Sequence, residues 1–159
     1  MPDILDDLIA QQKLDQSHVY DSVVSLPQQC RHAYQGTQNL TIPASYRKVN
    51  KMVMCGMGGS GLGARVIESA CFDSLKLPLI RINNYHLPSW VDSQTLVICS
   101  SFSGTTEETV ANAKEAISKK AKWLAISAGG DLIDLARSHQ VPYYQINPKY
   151  NPFSSVNFL

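Results

Sequence analysis

Twice in this chain a short apolar run stops against a turn of glycines or hydroxyl residues that opens a helix-length segment. Residues 51–55 (KMVMC) run into Gly56-Met57-Gly58-Gly59-Ser60-Gly61-Leu62-Gly63. Residues 95–99 (TLVIC) run into Ser100-Ser101-Phe102-Ser103-Gly104-Thr105-Thr106-Glu107-Glu108. Unbroken apolar runs of this length suit strands buried on both faces, the usual condition of a parallel sheet. Three more candidate strands lie at 79–82, 123–127 and 143–146, and helices are predicted over 62–72, 106–120 and 131–139. Strands separated by helix-length segments imply right-handed crossovers, so the expected class is α/β, a doubly wound parallel sheet of about five strands. Pro88, after Tyr85-His86-Leu87, marks an irregular link between the second and third strands.

The first fifty residues are expected to be helical. Ile4, Leu5, Leu8 and Ile9 share one helical face, and a second helix is expected from about Ser17 or Asp21 toward His32, kinked or divided by Pro27. Gly36 and Pro43 mark the connection that follows. The expected organisation is a helical segment at 1–48 packing on a domain at 49–147, with 148–159 the start of a linker or a truncated end.

Composition removes several classes of function. The 159 residues carry 14 Lys and Arg against 13 Asp and Glu, with 44% hydrophobic residues. Disorder needs the opposite balance. The basic residues are scattered, so no nucleic-acid partner is expected. No apolar run approaches the roughly 18 residues that span a bilayer, and the acidic start MPDILDDLIAQQ lacks the basic region of a signal peptide. A cytoplasmic protein without a membrane partner is the expectation. Cys30, Cys55, Cys71 and Cys99 form no CxxC pair, and they read as small buried hydrophobes rather than a disulfide or metal set.

In a sheet of this kind ligands bind where strands end and helices begin. The first loop lets backbone approach a ligand closely, and its helix start offers free N–H groups to an anion. Gly56, Gly58 and Gly61 also satisfy GxGxxG, but the next strand runs into Asn83-Asn84 where a dinucleotide site expects an acid. The second loop gathers Ser100, Ser101, Ser103, Thr105 and Thr106 at a helix start, which suits a phosphate without metal or lysine. Thr105-x-x-Glu108 reads as a capping box, which leaves Ser101 and Ser103 for a ligand. No Gly-Lys-Ser/Thr of a Walker loop occurs. The third turn, Ser127-Ala128-Gly129-Gly130-Asp131, is expected to be structural or pocket wall, with Asp131 as helix N-cap. Trp90 and Trp123 read as packing anchors. Glu107 lies near the proposed pocket, where a neighbouring phosphate disfavours an ionised base, and His86 reads as a surface histidine.

GMGGSGLG, SSFSGTTEE and AISAGGDLIDLA together resemble the sugar isomerase (SIS) domain, and are most similar to the first half of bifunctional phosphoglucose/phosphomannose isomerases. The resemblance implies a flavodoxin-like three-layer sandwich and reversible aldose–ketose conversion of hexose 6-phosphates with no cofactor. It implies phosphate on Ser101, Ser103 and Thr106, and contacts from Gly58, Gly59 and Ser60 to the sugar or its phosphate. It also implies a second SIS domain, from which the family draws its catalytic Glu and His, a homodimer, or both as partners. The family's arginine position corresponds to Phe153, in Asn151-Pro152-Phe153. Phe cannot stabilise a developing negative charge, so the chain alone is expected to be inactive, and a phosphosugar-sensing module is the alternative.

Overall fold

The structure, a computed structural model, describes residues 6–16 and 18–147. The segment 148–159, including Phe153, and the pair Ile4 and Leu5 lie outside the described residues.

Five parallel strands form one sheet in the order β2-β1-β3-β4-β5: β1 Lys51–Cys55, β2 Leu79–Ile82, β3 Thr95–Ser100, β4 Lys122–Ser127 and β5 Tyr143–Gln145. Every candidate strand is present, with ends within a residue or so of expectation. The chain steps from β1 outward to β2 through helix α4 (Leu62–Ala70), returns across β1 to β3, then moves the other way through α5 (Glu107–Ser118) and α6 (Gly130–Ser138). The direction of winding therefore reverses between β1 and β3, and their carboxyl ends flank the switch point.

One face of the sheet is sealed. Register places Val53 beside Val97 and Val97 beside Trp123, then Cys55 beside Cys99 and Cys99 beside Ala125. These six side chains are buried, together with Val110, Ala113 and Ala116 of α5 and Leu132, Ile133 and Ala136 of α6. The alanines allow the helices to sit close to the strands. The opposite face is less covered: Leu96, Ile98, Leu124 and Ile126 are only half-buried.

The amino-terminal region forms α1 (Leu8–Leu14), α2 (Val19–Val24) and α3 (Leu26–Thr37). Pro27 divides the second predicted helix as expected. The break falls at Ser25, which puts Pro27 in the first turn of α3, where its missing N–H costs nothing. Asp7 caps α1 by accepting from the amides of Ile9 and Ala10. Of the apolar face expected there, the described residues Leu8 and Ile9 are exposed rather than buried. Contact with the sheet comes later, where Gly36 of α3 lies against the Tyr144 ring and the Tyr46 hydroxyl donates to the Trp123 carbonyl at 2.8 Å. Burial raises the pKa of both tyrosines.

Cys55 and Cys99 are buried as expected, Cys71 is partly so, and Cys30 is exposed on α3, a correction to its reading as a buried hydrophobe. Trp123 is a core anchor; Trp90 sits at the surface with the Lys51 ammonium over its ring.

Candidate functional site

Two loops leave adjacent strands at matching heights. Cys55 and Cys99 are register partners, so the glycine loop and the hydroxyl loop begin side by side. A Cβ on Gly56 would meet the Ser100 and Ser60 carbonyl oxygens at 3.0 Å each, so glycine is what lets the loops touch. Gly58, Gly59 and Ser60 then form a single 3-10 turn (Gly58–Gly61) leading into α4. Gly58 has φ +54 with open space around it, and Gly58 and Gly59 are exposed.

In the second loop three hydroxyls converge. Ser101 Oγ lies 2.7 Å from Thr106 Oγ1 and 3.4 Å from Ser103 Oγ, and it accepts from the Gly104 amide at 3.1 Å. Ser101 is buried; Ser103 is exposed and Thr106 half-buried, so the group opens outward. Thr105 donates to Ser103 through its hydroxyl at 3.2 Å and its amide at 3.3 Å.

The capping box is corrected by this geometry. The N-cap of α5 is Thr106, not Thr105, and it makes no side-chain capping bond. Its hydroxyl turns to Ser101 instead. Among the described residues no side chain accepts from the first-turn amides of α5, the condition that favours an anion at a helix start. Neutral donors and a helix terminus can together hold a phosphate dianion without a cation.

The third turn braces the second. The Ser127 hydroxyl lies 2.9 Å from the Gly129 carbonyl and 3.3 Å from the Phe102 carbonyl. The Ala128 amide donates to Phe102 O and the Leu132 amide to Gly104 O, each at 3.0 Å. Gly104 (φ +75) packs so closely that a Cβ would fall 1.7 Å from Gly129 O. Asp131 is not the N-cap of α6 as expected. Gly129 takes that position in extended backbone, and Asp131 contributes its charge within the first turn.

The Asn83–Leu87 stretch after β2 borders the site, a role the sequence reading missed. The Gly56 amide donates to Ile82 O at 3.4 Å, so this link starts beside the glycine loop. It then crosses to α5, where Asn112 Nδ2 donates to Asn84 O at 2.8 Å and the Leu87 amide donates to Glu115 Oε2 at 2.8 Å. The Tyr85 hydroxyl donates to Glu107 Oε2 at 3.1 Å, a bond that raises the tyrosine pKa with added repulsion from Glu108. The signal was present in α5, whose inward positions include Thr109 and Asn112 where the helical pattern calls for apolar residues. His86 is exposed, 3.7 Å from Glu115, as a surface histidine should be. Among the described residues no group of His, Cys, Asp and Glu could hold a metal, and no helix is long and apolar enough to cross a membrane.

The sheet order and the loops at its switch point define a doubly wound α/β fold that solved structures share. A Clostridium difficile protein, a candidate phosphosugar isomerase, shares it with a TM-score of 0.61 over 73% of this chain and 34% of its own, at 18% identity. The Vibrio vulnificus NanR protein, solved in complex with ManNAc-6P, matches with a TM-score of 0.56 over 86% of this chain and 54% of its own, at 17% identity. No family model matches. In sequence the chain is similar to bifunctional phosphoglucose/phosphomannose isomerases, the resemblance read from its loops. It is 40% identical over 140 residues to that of Caldicellulosiruptor bescii and 36% over 112 residues to that of Aquifex aeolicus. These alignments take in 88% and 68% of this chain but span only 41% and 34% of those relatives.

Proposed function

We propose that this chain binds a sugar 6-phosphate and serves as the amino-terminal half of a glucose 6-phosphate/mannose 6-phosphate aldose–ketose isomerase, acting in the cytoplasm. The observation that carries the reading is the convergence of Ser101, Ser103 and Thr106 at the uncapped start of α5. In this reading the phosphate takes the hydroxyls and first-turn amides, and Gly58, Gly59 and Ser60 approach from the neighbouring strand end. Two further points support it: the names of the sequence relatives, and the sugar phosphate bound by a protein of the same fold. In this reading residues 49–147 are the binding domain, and the helices described before it pack on it through Gly36 and Tyr46.

Isomerisation through an enediol needs a base between C1 and C2, an acid to open the ring and a positive group near the enediolate. In the proposed arrangement those groups come from a second domain of the same type, in the same chain or across a homodimer. The 159 residues alone should therefore show no turnover of fructose 6-phosphate in a coupled assay, while still binding it.

Thermal melts test the binding. Fructose 6-phosphate at 100 times its dissociation constant should stabilise the fold by about 2.7 kcal/mol. Replacing Ser103 and Thr106 together by Ala should abolish that shift, and an undiminished shift would sink the phosphate assignment. Stabilisation by NAD but not by a sugar phosphate would restore the dinucleotide reading that Asn83-Asn84 opposes.

A further inference from the structure

Glu107 is the first residue of α5, one position beyond the hydroxyl cluster, and its carboxylate is exposed. A carboxylate beside a bound phosphate repels it, and a free side chain would swing away. Here it is held. The Tyr85 hydroxyl donates to Glu107 Oε2, and Tyr85 belongs to a link fastened at both sides: to α5 through Asn112 and Glu115, and to the start of the glycine loop through Ile82. The carboxylate is thus held by Tyr85, whose link starts beside the glycine loop at Ile82, and the rest of a phosphorylated ligand would extend between the two loops. Resting on the phosphate reading above, we infer that Glu107 determines specificity by accepting a hydrogen bond from a hydroxyl of the sugar, and that Tyr85 is its positioning residue.

A fixed carboxylate at this place penalises bare phosphate and compensates only ligands that bring a hydroxyl to it, so it separates sugar phosphates from inorganic phosphate. The chemical class selected is a polyhydroxylated phosphate monoester.

The test is calorimetric binding of fructose 6-phosphate and of inorganic phosphate to the full chain. Wild type, Glu107→Gln, Tyr85→Phe and the double variant are compared through the ratio of the two dissociation constants. In Glu107→Gln the preference for the sugar phosphate should fall about tenfold, the scale of one hydrogen bond to a charged group. It should fall through tighter inorganic phosphate and weaker sugar phosphate together. Tyr85→Phe should reduce the preference in the same sense, roughly threefold, and add nothing in the Glu107→Gln background, since a positioning residue has no effect once its carboxylate is gone. Equal changes for both ligands in Glu107→Gln would reduce the carboxylate to a background charge and overturn the inference. A Tyr85→Phe effect that persists in the double variant would overturn its positioning part. In both cases wild-type binding of the two probes leaves the phosphate site standing. Wild type binding neither would overturn the site and this inference with it.

Discussion

At the scale of single residues, the glycines of the two loops do different things. Gly104 combines φ +75 with a contact no side chain can make, whereas Gly58 has a left-handed φ of +54 in open space. Gly58→Ala should therefore cost only the left-handed strain, about 1–2 kcal/mol. Gly104→Ala must also push apart the loops at Gly129, and should cost roughly 3–5 kcal/mol or prevent folding. Urea unfolding of the two variants side by side checks the contrast. The sequence showed both as glycines in turns and could not rank them, because the ranking depends on Gly129, a contact made across two strands. The same limit misplaced the cap of α5. Thr105-x-x-Glu108 is a local pattern, and it lost to a nonlocal arrangement in which the Thr106 hydroxyl prefers Ser101. The cysteines can be ranked in the same way. The Cys99 thiol is driven well above its usual range, first by its hydrogen bond with Cys55 and then by burial. Thiol-reactive dye on the native protein should label Cys30 first and reach Cys55 and Cys99 only on unfolding.

At the scale of elements, strands and crossover helices were legible because short apolar runs alternate with helix-length segments, and β1, β3 and β4 each end at a glycine or hydroxyl turn. The link from β2 to β3 was not. It has no period, and what orders it is a row of polar groups on α5 at Glu107, Asn112 and Glu115. Its far end is held differently. Lys51 of β1 bonds Asp92 at 3.1 Å and lies over the Trp90 ring, which draws the turn before β3 onto the sheet edge. The Lys51 bond, then the Gln94 amide, lower the pKa of Asp92. A carboxylate whose pKa falls on folding stabilises the protein above its unfolded value, near 4, and loses that stabilisation as pH drops through the folded value. Acid titration of the melting temperature from pH 5 downward should thus fall less steeply in Asp92→Asn than in wild type. Equal slopes would show that the pair contributes nothing measurable, as many exposed pairs do.

For the molecule as a whole, class and strand count followed from alternation along the chain, but the order β2-β1-β3-β4-β5 came from crossover geometry that no single segment encodes. That order has a kinetic side. β3 pairs with β4, and β4 with β5, each through one short helix, whereas β1 meets β3 only after the excursion through α4 and β2. Closing the longer loop is the slower event, so the β3–β5 half is expected to form first and β1 to dock onto it late. The glycine loop and the hydroxyl loop come together only at that docking. A ligand that needs both has nothing complete to hold in the transition state. Stopped-flow mixing with saturating sugar phosphate should therefore slow unfolding while leaving the refolding rate as it was, and the bound molecule would act as a latch rather than a template.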